Sequence, residues 1–212
     1  IPPITISAGR IALAAIILYL AARVAGQAAP RGWRNWVLIT LSALFGNALP
    51  FTLISWGEIA VDSGLAAILM AIVPLTTIML AHFVTSDEKL TLGKLLGVIL
   101  GFAGIVTLIG PAALASLGDQ ALPQMAVAAG AVCYSIASLV TKHLTGLPGR
   151  TVAAWVMIVS ALIMLPASLI YDRPWTLEPS LLSLGAVVFL GVFPTAIAML
   201  MLLAIVRAQG AS

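Results

Sequence analysis

Charge is what this chain has least of. Lysine, arginine, aspartate and glutamate make up 8% of its 212 residues, where a soluble globular domain carries about 25%. With 62% hydrophobic residues and a mean hydropathy of +1.16, it cannot cover a water-facing surface, and lipid is the expected solvent. Cysteine is nearly missing: Cys133 stands alone, so no intrachain disulfide forms, and its apolar setting reads as a small packing residue. The sequence has no HExxH, no GxSxG and no carboxylate pair within an apolar run, and its two histidines, His82 and His143, lie near run ends. An intramembrane enzyme needs a nucleophile–base pair or a metal-ligand cluster, so the expectation is a non-enzyme with no cofactor and no metal. The net charge of +3 is not clustered, which excludes nucleic acid as the expected partner. No basic region precedes a short apolar core at the N-terminus, so no cleavable signal peptide is read. A start at Ile1-Pro2-Pro3 without methionine is expected to fall partway through a longer protein.

What the chain does have is long apolar runs. Residues 64–110 hold two of them around a short polar turn, Ser86-Asp87-Glu88-Lys89. A helix crosses the hydrocarbon core in about 20 apolar residues, so each run is long enough to span. Every backbone N–H and C=O in lipid needs an internal partner, which leaves helices or closed barrels. Barrel strands alternate over segments of about ten residues, whereas these runs are continuous and longer. The expected fold is an all-α polytopic membrane bundle with seven spans: Ile4–Val24, Trp36–Gly57, Gly64–Val84, Gly93–Ile109, Pro123–Lys142, Thr151–Tyr171 and Leu181–Val206.

The loops give a direction. Arg23, Arg31, Arg34, Lys89, Lys94, Lys142, Arg150 and Arg207 fall on one side of alternate loops, and Arg173 on the other. Glu58, Asp62, Asp119, Asp172 and Glu178 lie opposite the basic side, while Asp87 and Glu88 join it. Positive residues stay cytoplasmic, so the N-terminal end is expected outside and the C-terminal end inside, with a single orientation.

Transporters often carry inverted repeats. A shift of 146 positions aligns Pro2 with Pro148, Thr5 with Thr151, Ala8 with Ala154, Leu38 with Leu184 and Gly64 with Gly210. These identities carry little weight in so apolar a chain. The spans, however, coincide without a gap and run in opposite senses. The counterpart of residues 64–110 would then follow Ser212.

The stretch PLTTIMLAHFVTSDEKLTLGKLLGVILGFAGIVTLIG resembles the EamA-type repeat of the drug/metabolite transporter superfamily. Pro74-Leu75, Glu88, Leu90-Thr91, Gly97 and Gly104 stand in the order of that repeat, and ITISAGRIALAAIIL with Arg10 resembles its second helix. The resemblance implies a ten-helix fold built of two five-helix inverted repeats. Residues 1–110 would be the remainder of the first repeat without its first helix. Residues 111–122 would be an external connection, and 123–212 the start of the second repeat without its last two helices. It also implies alternating-access movement of small metabolites, with amino acids or related amphipathic solutes and the export direction favoured, in a bacterial inner membrane. The partners implied are a small-molecule substrate and the bilayer, with the protein a monomer or weak homodimer.

Individual residues carry paired readings. Pro50, Pro74, Pro166 and Pro194 fall inside spans, where proline removes a ladder bond and kinks the helix; the kink either opens carbonyls to a cavity or is satisfied by neighbours. Asn47, Phe51 and Ser55 share one helix face, and are candidates for substrate contact or for helix–helix bonding. Met70, Pro74, Tyr134, Ser138, Trp155 and Thr195 complete the candidate cavity wall, against a reading as core or lipid-facing residues. Arg10, about two turns into its span, either binds a substrate carboxylate or snorkels to lipid phosphate. His82 is a proton-coupling candidate or an interfacial histidine. Gly93, Gly97, Gly101 and Gly104 form a small-residue stripe for helix packing. Trp33, Trp36 and Trp175 read as interface anchors. A lipid scramblase or structural subunit is the rival to a transporter, with an intramembrane enzyme behind both.

Overall fold

A computed structural model of the chain describes residues 1–84 and 89–209. The polar-turn residues 85–88, Glu88 of the family pattern among them, and Gly210 of the 146-shift lie outside the described residues. Among the described residues there are helices and turns and no strand. Among the described residues, seven helices are long and apolar enough to cross a membrane. They are α1 (Pro3–Val24), α2 (Trp33–Gly57), α3 (Ser63–Val84), α4 (Leu92–Ile109), α5 (Ala121–Lys142), α6 (Gly149–Tyr171) and α7, which starts at Leu181 and ends with the segment Ala198–Gln209. Most begin one to three residues before the expected apolar starts, because a first turn tolerates polar residues whose side chains reach water or cap the helix. Asp62, Thr91 and Ser180 cap α3, α4 and α7 by accepting the N–H of Gly64, Lys94 and Ser183 at 2.8, 3.3 and 3.2 Å.

The chain divides into two compact units, one of Ile1–Ala48 with the residues from Thr141 onward, the other of Leu49–Val140. In the first, α1 and α6 form the principal helix pair. α1 buries Ser7, Ala8, Ile11, Ala14, Ala15, Leu18 and Ala22, a stripe of mostly small residues, and α6 offers Ala153, Ala154, Met157, Ser160, Ala161 and Met164. Lipid tails are as apolar as leucine, so packing of close backbones rather than a hydrophobic drive holds such a pair. The two helices run antiparallel, as their end contacts require. Thr5, at the start of α1, bonds Asp172 and Ser168 at the end of α6. Thr151, at the start of α6, donates to the Gln27 side-chain oxygen, just past α1, at 3.1 Å. The first part of α2 packs on α6, and α7 packs on α1.

In the second unit, Val61, Leu65, Ala66 and Val127 form a buried cluster with Leu69, Met70 and Leu114 against it. α4 buries none of its residues. Leu100, Leu108 and Leu181 are 72%, 86% and 87% exposed, an apolar exterior that suits hydrocarbon and not water. The buried polar residues of the described chain are Ser7, Ser42, Asn47, Gln124, Ser135, Thr151, Ser160, Ser168 and Thr195, all uncharged.

Candidate functional site

Two helices widen into π-turns, α2 at Leu44–Ala48 and α7 at Gly191–Ile197. Proline explains both. Pro50 has no N–H for the Gly46 carbonyl and Pro194 none for the Leu190 carbonyl, so the ladder must re-register near each. At Leu190 the substitute donor is visible: the Thr195 hydroxyl donates to its carbonyl at 2.8 Å. Arg10 Nη2 in turn donates to the Thr195 hydroxyl at 3.1 Å. The guanidinium therefore turns into the helix unit toward a broken helix, a pairing of Arg10 with Thr195 that the sequence had not suggested. Their approach depends on Gly191. A Cβ there would lie 2.9 Å from Leu13 Cβ and 3.1 Å from the Arg10 carbonyl oxygen, so α1 and α7 touch backbone to backbone.

Asn47 lies inside the α2 π-turn, is 5% exposed, and makes no side-chain hydrogen bond among the described residues. An unmatched amide at membrane depth is costly unless a polar ligand or water meets it. Ser55, two turns on, is half-buried.

Within the second unit, α3 breaks at Ala71, three residues before Pro74. The Val73 carbonyl beside the break accepts the Thr77 hydroxyl at 2.7 Å and one of two others at 3.1 Å, Thr76 or, from α5, Ser135, which are bonded to each other. Tyr134 meets Phe51 edge-on at 6.4 Å between ring centroids. Met70 packs against the unit's apolar cluster. Ser138 is exposed, and it is Ser135, one turn earlier and fully buried, that bonds across helices. Spacing from Tyr134 gave no means of choosing between these two serines.

Trp155 stands between two other aromatics of its unit, with Tyr19 edge-on at 6.3 Å and Trp36 at 5.1 Å. Trp36 therefore packs inward, while Trp33 and Trp175 stay 81% and 68% exposed as interface anchors would. His82 Nδ1 accepts the Leu90 N–H at 3.1 Å, and the Lys89 ammonium donates to the His82 carbonyl at 3.1 Å. The stripe Gly93, Gly97, Gly101 and Gly104 faces open space, with nothing within 4 Å of a Cβ built at any of the four. No group of three or more His, Cys, Asp and Glu that could hold a metal ion occurs among the described residues.

The profile of the EamA-like transporter family matches residues 1–110 and 122–212. An uncharacterized transporter of Archaeoglobus fulgidus is 25% identical over 198 residues, 91% of this chain and 66% of that protein. A probable terminal-alkyne amino-acid exporter of Streptantibioticus cattleyicolor is 28% identical over 194 residues, 91% of this chain and 63% of its own length. The chain thus spans just under two thirds of the length of these relatives. A solved crystal structure superposes with a TM-score of 0.75 at 22% identity, covering 94% of this chain and 69% of the other, which shows a shared fold.

Proposed function

This chain belongs to the EamA-like transporter family, and from that premise we propose that it forms part of a membrane transporter exporting small carboxylate-bearing metabolites, amino acids foremost, by alternating access. The single observation that carries the reading is the Arg10 guanidinium, turned toward Thr195 at a proline-broken turn of α7. A guanidinium presents five N–H donors in a planar fork. A carboxylate matches that fork bidentately. Hydroxyl and amide groups, with Thr195 beside Arg10 and Asn47 in its own π-turn, suit an amphipathic solute better than a bare cation. The amino-acid exporter among the relatives supports the substrate class and the direction.

The two sets of spans are read as inverted repeats, with the basic loops cytoplasmic. α1 and α6 are then counterparts, and the 146-shift carries the Leu44–Ala48 turn onto 190–194, overlapping the π-turn Gly191–Ile197.

The test is flux into proteoliposomes holding the full-length protein. Radiolabelled L-leucine is expected to exchange across the bilayer, its decarboxylated analogue isoamylamine much less, and Arg10→Gln is expected to lower leucine exchange at least about tenfold, the loss of one charge-assisted bidentate contact. Equal flux of leucine and isoamylamine, unaffected by Arg10→Gln, would contradict the carboxylate reading. Movement of labelled phospholipid without solute flux would favour a scramblase.

A further inference from the structure

α1 and α6 are closed on each other at both ends. At one end Asp172 holds the backbone and hydroxyl of Thr5; at the other Thr151 holds Gln27. The 146-shift exchanges Thr5 with Thr151, so the two clasps are built on corresponding residues of corresponding helices. A pair that opened like scissors during a transport cycle would have one clasp made and the other broken. Both are made here.

Between the clasps, each helix of the pair holds a π-turn of a neighbour. From α6, the fully buried Ser160 hydroxyl lies 3.3 Å from the Ala43 carbonyl, directly before the turn Leu44–Ala48, and shares its one proton with the Val156 carbonyl of its own helix at 2.8 Å. From α1, Arg10 donates to Thr195 within Gly191–Ile197. A π-turn is an α-helix with one residue inserted, and such a turn can shift register one residue at a time along the ladder. Nearby prolines have already removed one ladder bond from each, so each turn has the fewest bonds to break when its helix bends.

We propose that the α1–α6 pair is a rigid post and that α2 and α7 bend on it at these two π-turns, with Ser160 and Thr195 acting as positioning residues that latch the hinges. The latches differ in strength. Arg10–Thr195 is charge-assisted, and the polarised Thr195 hydroxyl donates the more firmly to Leu190. Ser160–Ala43 is neutral and longer.

Hydrogen exchange of the full-length protein in lipid nanodiscs, read by mass spectrometry in a Cys133→Ala background, tests this without any solute, so it can fail while the transport reading stands, and the reverse. Amides of 44–48 and 191–197 are expected to exchange at least about tenfold faster than those at the middle of α1 and α6, as locally opening segments do. Thr195→Val is expected to raise exchange severalfold in 191–197 only, and Ser160→Ala in 44–48 only. A merely structural role would loosen the whole unit. The pairs Thr5→Cys with Asp172→Cys and Gln27→Cys with Thr151→Cys are expected to oxidise to disulfides with copper phenanthroline and to leave the fast exchange in place. The proposal is overturned if neither π-turn exchanges faster than its flanks, if either latch variant raises exchange across α1 and α6, if the pairs fail to oxidise, or if closing both clasps slows both turns.

Discussion

Asp172 caps a helix to which it does not belong. Its carboxylate accepts the Thr5 backbone N–H at 2.8 Å and the Thr5 hydroxyl at 2.7 Å. Pro2, at the N-cap position of α1, has no side chain that can do this. The first N–H groups of a helix have no partner within it, and a carboxylate beside them also meets the positive end of the helix dipole. The end of α6 thus completes the start of α1.

Asp172→Ala should destabilise the protein by about 1–3 kcal/mol, the cost of leaving partly buried donors unmatched. Asp172→Asn keeps an acceptor and should lose less than half of that. Thermal unfolding in detergent, followed by tryptophan fluorescence, checks the order. Equal losses for the two variants would mean that charge and not the hydrogen bonds matters.

Gly191→Ala should cost about 1–3 kcal/mol by overpacking, since its Cβ would press on Leu13 and on the Arg10 backbone. Gly101→Ala, on the open face of α4, should be neutral or slightly stabilising through helix propensity. The same unfolding assay compares them.

Next to Pro74, Thr76 and Ser135 are alternative donors to the Val73 carbonyl beside Thr77, so redundancy should be visible. Ser135→Ala alone should cost no more than about 1 kcal/mol, and adding Thr77→Val should cost more than the sum of the single changes. Strict additivity would contradict shared service of the Val73 carbonyl.

Trp36 and Trp155 should couple. A double-mutant cycle with Trp36→Leu and Trp155→Leu is expected to return about 0.5–1.5 kcal/mol for an edge-to-face pair. A coupling of zero would leave Trp36 a simple interface anchor.

The spans were legible because bilayer thickness fixes their length and charge is scarce within them, Arg10 being the exception. That Arg10 bonds Thr195 and that Phe51 meets Tyr134 was not legible, since each pair lies on helices far apart in the chain. The residues that hold the helices together were harder to see. Asp172 and Gln27 sit in loops, where a polar residue signals nothing by itself, and their partners lie 167 and 124 positions away. Ser135 and Ser138 differ by less than one helical turn, and only the neighbouring Val73 carbonyl distinguishes them. Pro50 and Pro194 marked helix breaks, but whether a break becomes a kink, as at Ala71, or a π-turn depends on which donors surround the freed carbonyl.

The account rests most heavily on two sets of helices entering the bilayer in opposite senses around the α1–α6 pair. Single cysteines at Arg34 and Arg173, in a Cys133→Ala background, test it through a membrane-impermeant maleimide applied to intact cells and to inverted vesicles. The expected result is that Arg173→Cys is labelled only in cells and Arg34→Cys only in inverted vesicles. Labelling of both from the same side would contradict the account.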